Sequence, residues 1–483
     1  MNNALIFMRK HLKISKYEKM LFLILIFSLA LKIQMPEKRS LWWDEAVYLG
    51  LAENIYSDHI YHFNIGNQEQ FRPPLLPVLI AILRPFFGSF EGAGTFLTIT
   101  ASLVSIAMIY YIIAKMYNNK KYGILASFIM ATNTEYIFWS SKILTESLSV
   151  LIVSASLYLF YIAFEKNKKE FYPYVGILTA LAFLLRYSNG LLFPFFIIYA
   201  IYRKGLKKLA NREVLLGLFA FLLLLMPWVG MNYKNYGNPL GGAIYNLNLI
   251  NHTAPWHMPL FYLSELVAHL QVLAILLFVG LFVTLRKRRK KDVFFAMWML
   301  VVFLFFSLFV GQKHFRYILI SLPSITVMSI CGVNYLANFR KKKYEKIIVS
   351  LLVIAMMIFA CFAYHISYKN MTSRISLRDA AEYIRARAPK NCYIIGQSYP
   401  MLYYYTKCRV INYPKNQDEV SSLLKNYNIS FIVYENSEPC SPYVENWLKN
   451  DESLVKVFEK REGNYSVKVY KYGPGNSKKI NKF

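Results

Sequence analysis

Residues 75–88 read Leu75-Leu76-Pro77-Val78-Leu79-Ile80-Ala81-Ile82-Leu83-Arg84-Pro85-Phe86-Phe87-Gly88, and whether this run crosses a membrane sets the topology of everything after it. A span needs about 20 mostly apolar residues to cover a hydrocarbon core of roughly 30 Å. This run is shorter than that and carries Pro77, Arg84 and Pro85. It is therefore expected to lie as a re-entrant or interfacial helix on one side. Eleven further apolar runs surround it, at about 21–35, 93–114, 122–138, 147–164, 172–185, 190–202, 214–230, 265–285, 293–310, 317–338 and 347–367. With Leu75–Gly88 held outside, the six loops 1–19, 115–121, 165–170, 203–212, 286–291 and 340–346 share one side and hold 27 Lys and Arg. The five opposite loops, 36–74, 139–146, 186–189, 231–264 and 311–316, hold 8. If the short run crossed, every later loop would change side and this asymmetry would collapse. Orientation follows the Lys/Arg bias of short loops, so the basic set is expected in the cytoplasm.

The expected architecture is a polytopic α-helical membrane protein of about eleven spans with outer interfacial helices. Residues 1–367 form the membrane domain, with the N-terminus cytoplasmic. An odd number of spans places residues 368–483 outside as a second, extracytoplasmic domain. The net charge of +29 sits in short clusters between apolar runs. That pattern fits loops facing an anionic leaflet and argues against a nucleic-acid partner. The run Met20–Ile33 lacks a small-x-small cleavage site and reads as an uncleaved first span. Cys392, Cys408 and Cys440 lie in the outer tail, where disulfides are permitted; spacing leaves open whether Cys392 pairs with Cys408. The sequons at Asn251, Asn370, Asn428 and Asn464 also lie outside.

From Ser376 the long apolar runs give way to short alternating elements. Ser376-Leu377-Arg378-Asp379 predicts a capping box that opens a helix through Arg387. Strands are expected at Tyr393–Ile395 and Phe431–Tyr434, with a helix over Val420–Tyr427 between them. A hairpin over 454–458 and 465–471 is expected to turn at Glu462-Gly463-Asn464. Together these make a small α/β domain.

Membrane-flanking charges are where chemistry is expected, and four segments fall on the outer face. Trp42-Trp43-Asp44-Glu45 follows the first span. It reads as an interfacial aromatic belt, or as a general base whose carboxylate is partly desolvated by tryptophan. Phe71-Arg72-Pro73-Pro74 offers either a turn with a snorkelling arginine or a guanidinium placed against a lipid phosphate. Thr145-Glu146 opens the fourth run. Glu146 suits a helix N-terminus for the dipole alone, or binds sugar hydroxyls or the acceptor. Gln312-Lys313-His314-Phe315-Arg316-Tyr317 sets cations against the positive-inside trend, which a bound phosphate would explain. Arg186 is a further outer arginine. His59/His62 and His252/His257 are only loosely paired, so no metal site is expected and none is required, with a divalent ion kept as the alternative.

In this order and on one face, these segments resemble the polyprenyl-phosphate-sugar-dependent glycosyltransferases of the GT-C superfamily. The likeness is to the dolichyl-phosphate-mannose protein mannosyltransferase and aminoarabinose transferase branch. It covers roughly residues 20–335 and includes Leu322-Pro323, Pro227-Trp228, Asn232-Tyr233 and Tyr236-Gly237-Asn238-Pro239. The resemblance implies Asp44 as catalytic base, supported by Glu45, with Arg72, Lys313 and Arg316 holding the carrier phosphate. Glu146, Arg186 and His314 would be further substrate contacts. Many relatives carry a lysine where Arg186 stands. The implied reaction is inverting transfer of a sugar from a polyprenyl-phosphate carrier to a protein, lipid or glycan acceptor outside the cytoplasm. Two rival readings are a polysaccharide polymerase or ligase and a lipid-linked sugar flippase. The first would rest on a large late outer loop, the second on charges deep in several spans and on internal repeats.

Overall fold

The computed structural model describes residues 15–33, 39–63, 71–252, 261–339, 343–436 and 441–472. In chain order the first helices are α1 (Lys16–Lys32), α2 (Trp43–Asp58), α3 (Leu75–Phe87), α4 (Phe90–Tyr117), α5 (Lys120–Thr132), α6 (Thr134–Ser140) and α7 (Glu146–Glu165). Next come α8 (Tyr172–Leu185), α9 (Leu192–Tyr202), α10 (Arg212–Tyr236), α11 (Gly241–His252), α12 (Phe261–Leu270) and α13 (Val272–Lys287). The last of the apolar part are α14 (Lys290–Leu308), α15 (Leu322–Phe339) and α16 (Lys343–Thr372).

Among the described residues, all eleven apolar runs are helical over most of their length. Six helical segments among the described residues, including α4, α7, α10 and α14, are long and apolar enough to span a bilayer by length and composition. The chain is an integral membrane protein. Helix α3 has 13 residues, about 20 Å at 1.5 Å per residue. Two runs are broken. The third ends α5 at Asn133, whose Oδ1 then accepts the Tyr136 amide at 2.9 Å to start α6. The eighth breaks at Gln271, a non-glycine residue at φ +51° between α12 and α13.

The chain divides into two compact units. The first comprises Met1–Gln34, Phe71–Leu76 and Thr95–Ile366. Its helices approach closely where glycines face backbone. A Cβ on Gly176 would stand 2.0 Å from the Gly217 carbonyl oxygen, and one on Gly332 would stand 2.1 Å from that of Leu276. Small residues at such crossings let membrane helices gain van der Waals contact that lipid cannot match. Trp298, fully buried, donates to the Ile320 carbonyl at 3.0 Å.

The second unit comprises Met35–Gln70, Pro77–Gly94 and Ser367–Phe483. It holds helices α17 (Ile375–Arg385), α18 (Tyr399–Thr406), α19 (Gln417–Asn426) and α20 (Pro442–Asn450). Its five strands are β1 (Tyr393–Gly396), β2 (Arg409–Ile411), β3 (Ile429–Glu435), β4 (Leu454–Glu462) and β5 (Tyr465–Tyr472), in sheet order β2-β1-β3-β5-β4. Strands β1, β2 and β3 run parallel, and β5 is antiparallel to both β3 and β4. The expected hairpin forms, with Gly463 at φ +56° in its turn. Ile395, Val420, Ile429, Ile432, Val444 and Trp447 fill the core on one side of the sheet. Cys392 and Cys408 form a disulfide across the β1–α18–β2 segment; Cys440 lies outside the described residues.

One local expectation fails. Helix α17 starts at Ile375 with Arg374 as its cap residue, so Ser376 lies inside the first turn and makes no capping box. The Ser376 hydroxyl is buried, and Asp379 pairs with Lys460 on β4 instead. A tertiary ion pair has taken the carboxylate that the local box would have used.

Candidate active site

The first unit gathers four of the expected residues, Glu146, Arg186, His314 and Arg316, around the start of α7. Glu146, 3% exposed, is its first residue, and one carboxylate oxygen meets Arg186 Nη1 at 3.1 Å. Arg186 follows the last residue of α8, so its side chain leaves a helix end directly beside that carboxylate. Its guanidinium lies 5.0 Å from the centre of the Tyr317 ring. The Arg316 guanidinium lies 5.4 Å from the same ring and 5.3 Å from that of Trp139. Two like charges from distant points in the chain thus converge on one tyrosine. Each cation–aromatic contact is worth about 0.5–2 kcal/mol. Lys142, almost fully buried, stands 4.7 Å from the Phe138 ring.

His314 joins the cluster through ring contacts with Trp139 at 5.1 Å and Tyr317 at 6.0 Å. Its Nδ1 accepts the Arg316 amide at 3.2 Å, which caps the 3-10 turn running into α15. Burial first, and the neighbouring Arg316 second, hold the imidazole pKa down at about 4, so it is neutral at physiological pH. Lys313 behaves differently. Its amine donates to the carbonyls of Phe306, Ser307 and Val310 at 2.6–2.7 Å, where α14 ends. Those orphan carbonyls and the helix dipole account for the lysine without a phosphate. Burial also lowers its pKa.

Arg72 sits in the segment before α3. The neighbouring Phe71 carbonyl accepts Tyr187 Oη at 2.6 Å, and the Phe71 ring lies 5.1 Å from that of Tyr245. Tyr187 follows Arg186, so the Arg72 segment and the arginine cluster are tied one residue apart.

The second unit carries Asp44 and Glu45. Trp43, Asp44 and Glu45 are the first three residues of α2. Glu45 is fully buried: Oε2 accepts the Trp42 amide at 2.7 Å, and Oε1 pairs with Arg39. It is the third-position glutamate of a capping arrangement, and it fixes where the helix begins. Asp44, beside it, is only partly buried and stands in the first turn, where the helix dipole favours an anion.

The sequence reading missed a further group. His269 on α12 meets Glu135 at 2.6 Å through Nδ1 and Glu265 at 2.8 Å through Nε2. Glu135 also accepts Trp139 Nε1 at 2.9 Å. The signal was present as two i,i+4 pairs, Glu135–Trp139 and Glu265–His269, but nothing in the sequence joined them. Among the described residues no three His, Cys, Asp or Glu are grouped so as to hold a metal ion. His62 instead meets the Asn54 amide at 3.3 Å, and His257 lies outside the described residues.

Residues 71–230 match the family of dolichyl-phosphate-mannose-protein mannosyltransferases. ArnT of Cupriavidus metallidurans, solved bound to undecaprenyl phosphate, superposes with a TM-score of 0.71 at 13% identity, covering 93% of this chain and 97% of that one. The chain has a GT-C glycosyltransferase fold. The same GT-C architecture relates it to the Archaeoglobus fulgidus oligosaccharyltransferase AglB, solved with an inhibitory peptide and a dolichol-phosphate. That match has a TM-score of 0.65 at 14% identity over 95% of this chain and 74% of the other. Comparison with curated protein sequences finds no match. The family match begins at Phe71 and includes Arg72, Glu146 and Arg186, and it ends before Lys313.

Proposed function

We propose that the protein is an inverting glycosyltransferase that moves a sugar from a polyprenyl-phosphate carrier to an acceptor at the outer face of the membrane. The observation that carries this reading is the convergence of Arg186 and Arg316 on Tyr317, with Glu146 on one of them. Two guanidinium groups held together repel, and an anion such as a carrier phosphate offsets that repulsion through paired hydrogen bonds. Arg72, tied in through the Phe71–Tyr187 bond, is a third candidate for the same phosphate. Lys313 is better read as the cap of α14, which supports the loop that presents Arg316.

In the proposed reaction the acceptor hydroxyl or amine attacks the anomeric carbon as the carbon–oxygen bond to phosphate breaks. Its proton passes to the Asp44 carboxylate, and the departing phosphate takes the bonding electrons. The arginines stabilise the charge that builds on it, a kind of term that is often the largest in catalysis. Glu146 orients Arg186, and its remaining buried oxygen is available to a sugar hydroxyl. The acceptor is a protein, a lipid or a glycan.

Profiling envelope glycans and lipid-linked sugars in a deletion strain tests the reading. Loss of one glycan residue, accumulation of its polyprenyl-phosphate sugar, and restoration by wild type but not by Asp44→Asn are expected. Full restoration by Asp44→Asn would remove the base and shift the weight to a flippase or a scaffold.

A further inference from the structure

We infer that the tyrosine-rich helix α18, with Arg378 of α17, is the positioning device for the catalytic helix α2, so that the C-terminal part of the chain acts in the transfer reaction by aiming Asp44. The inference rests on the reading of Asp44 as the base. All the residues concerned belong to the second compact unit.

The attachment begins just before α2. The Ser40 amide donates to the Met371 carbonyl at 2.7 Å, and the Ser40 hydroxyl donates to it at 2.9 Å. The Leu41 amide donates to Tyr405 Oη at 3.3 Å, and Arg378 Nη1 donates to the Arg39 carbonyl at 3.0 Å. Arg378 lies 5.2 Å from the Tyr405 ring, so the two groups that grip the backbone also pack on each other. The Arg39–Glu45 pair then ties this gripped segment to the first turn of α2, next to Asp44.

One face of α2 continues the contact. Trp43 meets Tyr399 edge to face at 5.0 Å, and Val47 and Leu51 pack with Phe63, whose ring lies 4.7 Å from that of Tyr403. Asn54 reaches Tyr403 Oη at 3.3 Å. Residues 43, 47, 51 and 54 share a helix face at steps of three and four. Glu53 pairs with Lys407, the residue that ends α18 in the left-handed region at φ +64°. Gly50 is required here, since a Cβ would stand 2.2 Å from the Phe63 ring.

The helix that does this gripping is itself stapled. Cys392 and Cys408 flank β1 and α18, so the bridge closes the segment that carries Tyr399, Tyr403 and Tyr405. A plain stability role would need only apolar burial. It would not need polar bonds from Tyr405, Arg378 and Met371 focused on the three residues 39–41, directly ahead of the carboxylates. A displacement near 1 Å at a reacting group costs about a hundredfold in rate, so such an anchor bears directly on turnover.

The test uses the full-length protein in membranes of the deletion strain at matched protein levels. Two readouts are taken: deuterium exchange of the amides of residues 41–47, and the rate at which the envelope glycan is completed. Lys407→Glu is expected to raise exchange and lower the glycan rate, each by about tenfold, and Glu53→Lys with Lys407→Glu is expected to restore both. Tyr405→Phe, which removes the acceptor for the Leu41 amide and the 3.5 Å donor to the Arg39 carbonyl, gives a smaller change in the same direction and carries the test if Lys407→Glu does not accumulate. Asp44→Asn is expected to abolish transfer with exchange unchanged. If Tyr405→Phe and Lys407→Glu leave both readouts at wild-type values, the positioning role is overturned. The same follows if the charge swap restores exchange but not transfer. If instead Asp44→Asn retains transfer, the base assignment fails, whatever the exchange data say about the anchor.

Discussion

At the scale of single residues, Arg39 and Glu45 make the sharpest case. Glu45 is fully buried and Arg39 nearly so, and the pair sets the start of the helix that carries Asp44. Removing one partner of a buried pair leaves an uncompensated charge, at a cost of about 3–5 kcal/mol. Arg39→Ala is therefore expected to lower folded yield and the thermal midpoint of the detergent-solubilised protein, while Arg39→Lys retains most of both. An Arg39→Ala midpoint equal to wild type would show that Glu45 is satisfied without the arginine. His314 gives a pH prediction. Its pKa is lowered from 6.5 to about 4 by burial and by Arg316, so the unfolded chain binds the extra proton first. That contribution to stability is complete above pH 6.5 and is lost as pH falls toward 4. Unfolding midpoints measured across that window should fall more for wild type than for His314→Gln. Parallel curves would remove His314 from the titration.

At the scale of elements, the close helix crossings predict where substitution is least tolerated. A Cβ on Gly280 would stand 1.8 Å from the Met328 carbonyl oxygen, and Gly332 faces Leu276 in the same way, so α13 and α15 touch through their backbones. Gly332→Leu is expected to force the pair apart and cost about 1–3 kcal/mol or more, seen as a lower midpoint and earlier aggregation on heating. A midpoint within error of wild type would mean the crossing can open without penalty. The same elements show what was legible in the sequence. Long apolar runs bounded by basic loops announce spans because length and charge are local properties. The hairpin over Glu462-Gly463-Asn464 was legible because a left-handed turn residue stands between two alternating runs. Strand β2 was not, since three residues carry no period. Helix α18 was not either, since Tyr399-Pro400-Met401-Leu402-Tyr403-Tyr404-Tyr405 has aromatic residues of modest helix propensity and no capping side chain. The Asp44 and Arg316 segments were visible as charges out of place. The partners that define them, Tyr405 for the first and Trp139 and Arg186 for the second, lie far off in sequence and meet them only by folding.

At the scale of the whole molecule, the question is which side of the membrane the second unit occupies, and the disulfide changes how that is measured. The Lys/Arg bias sets the expectation that residues 368–483 lie outside, where a Cys392–Cys408 bridge can persist, and a reducing cytoplasm would oppose it. Both sulfurs are consumed by the bridge, so neither reports topology by thiol labelling in the native protein. An introduced cysteine on an exposed surface does. Lys449→Cys, in the last turn of α20, has a side chain 72% exposed and only a weak i,i+4 partner in Glu445, so the change leaves the fold intact. In intact cells a membrane-impermeant maleimide is expected to label Lys449→Cys fully, while a cysteine in the basic segment at Arg288→Cys labels only after permeabilisation. The opposite pattern would invert every loop together. Asp44, which shares its compact unit with the C-terminal sheet, would then face the cytoplasm, and transfer to an outer acceptor would be excluded.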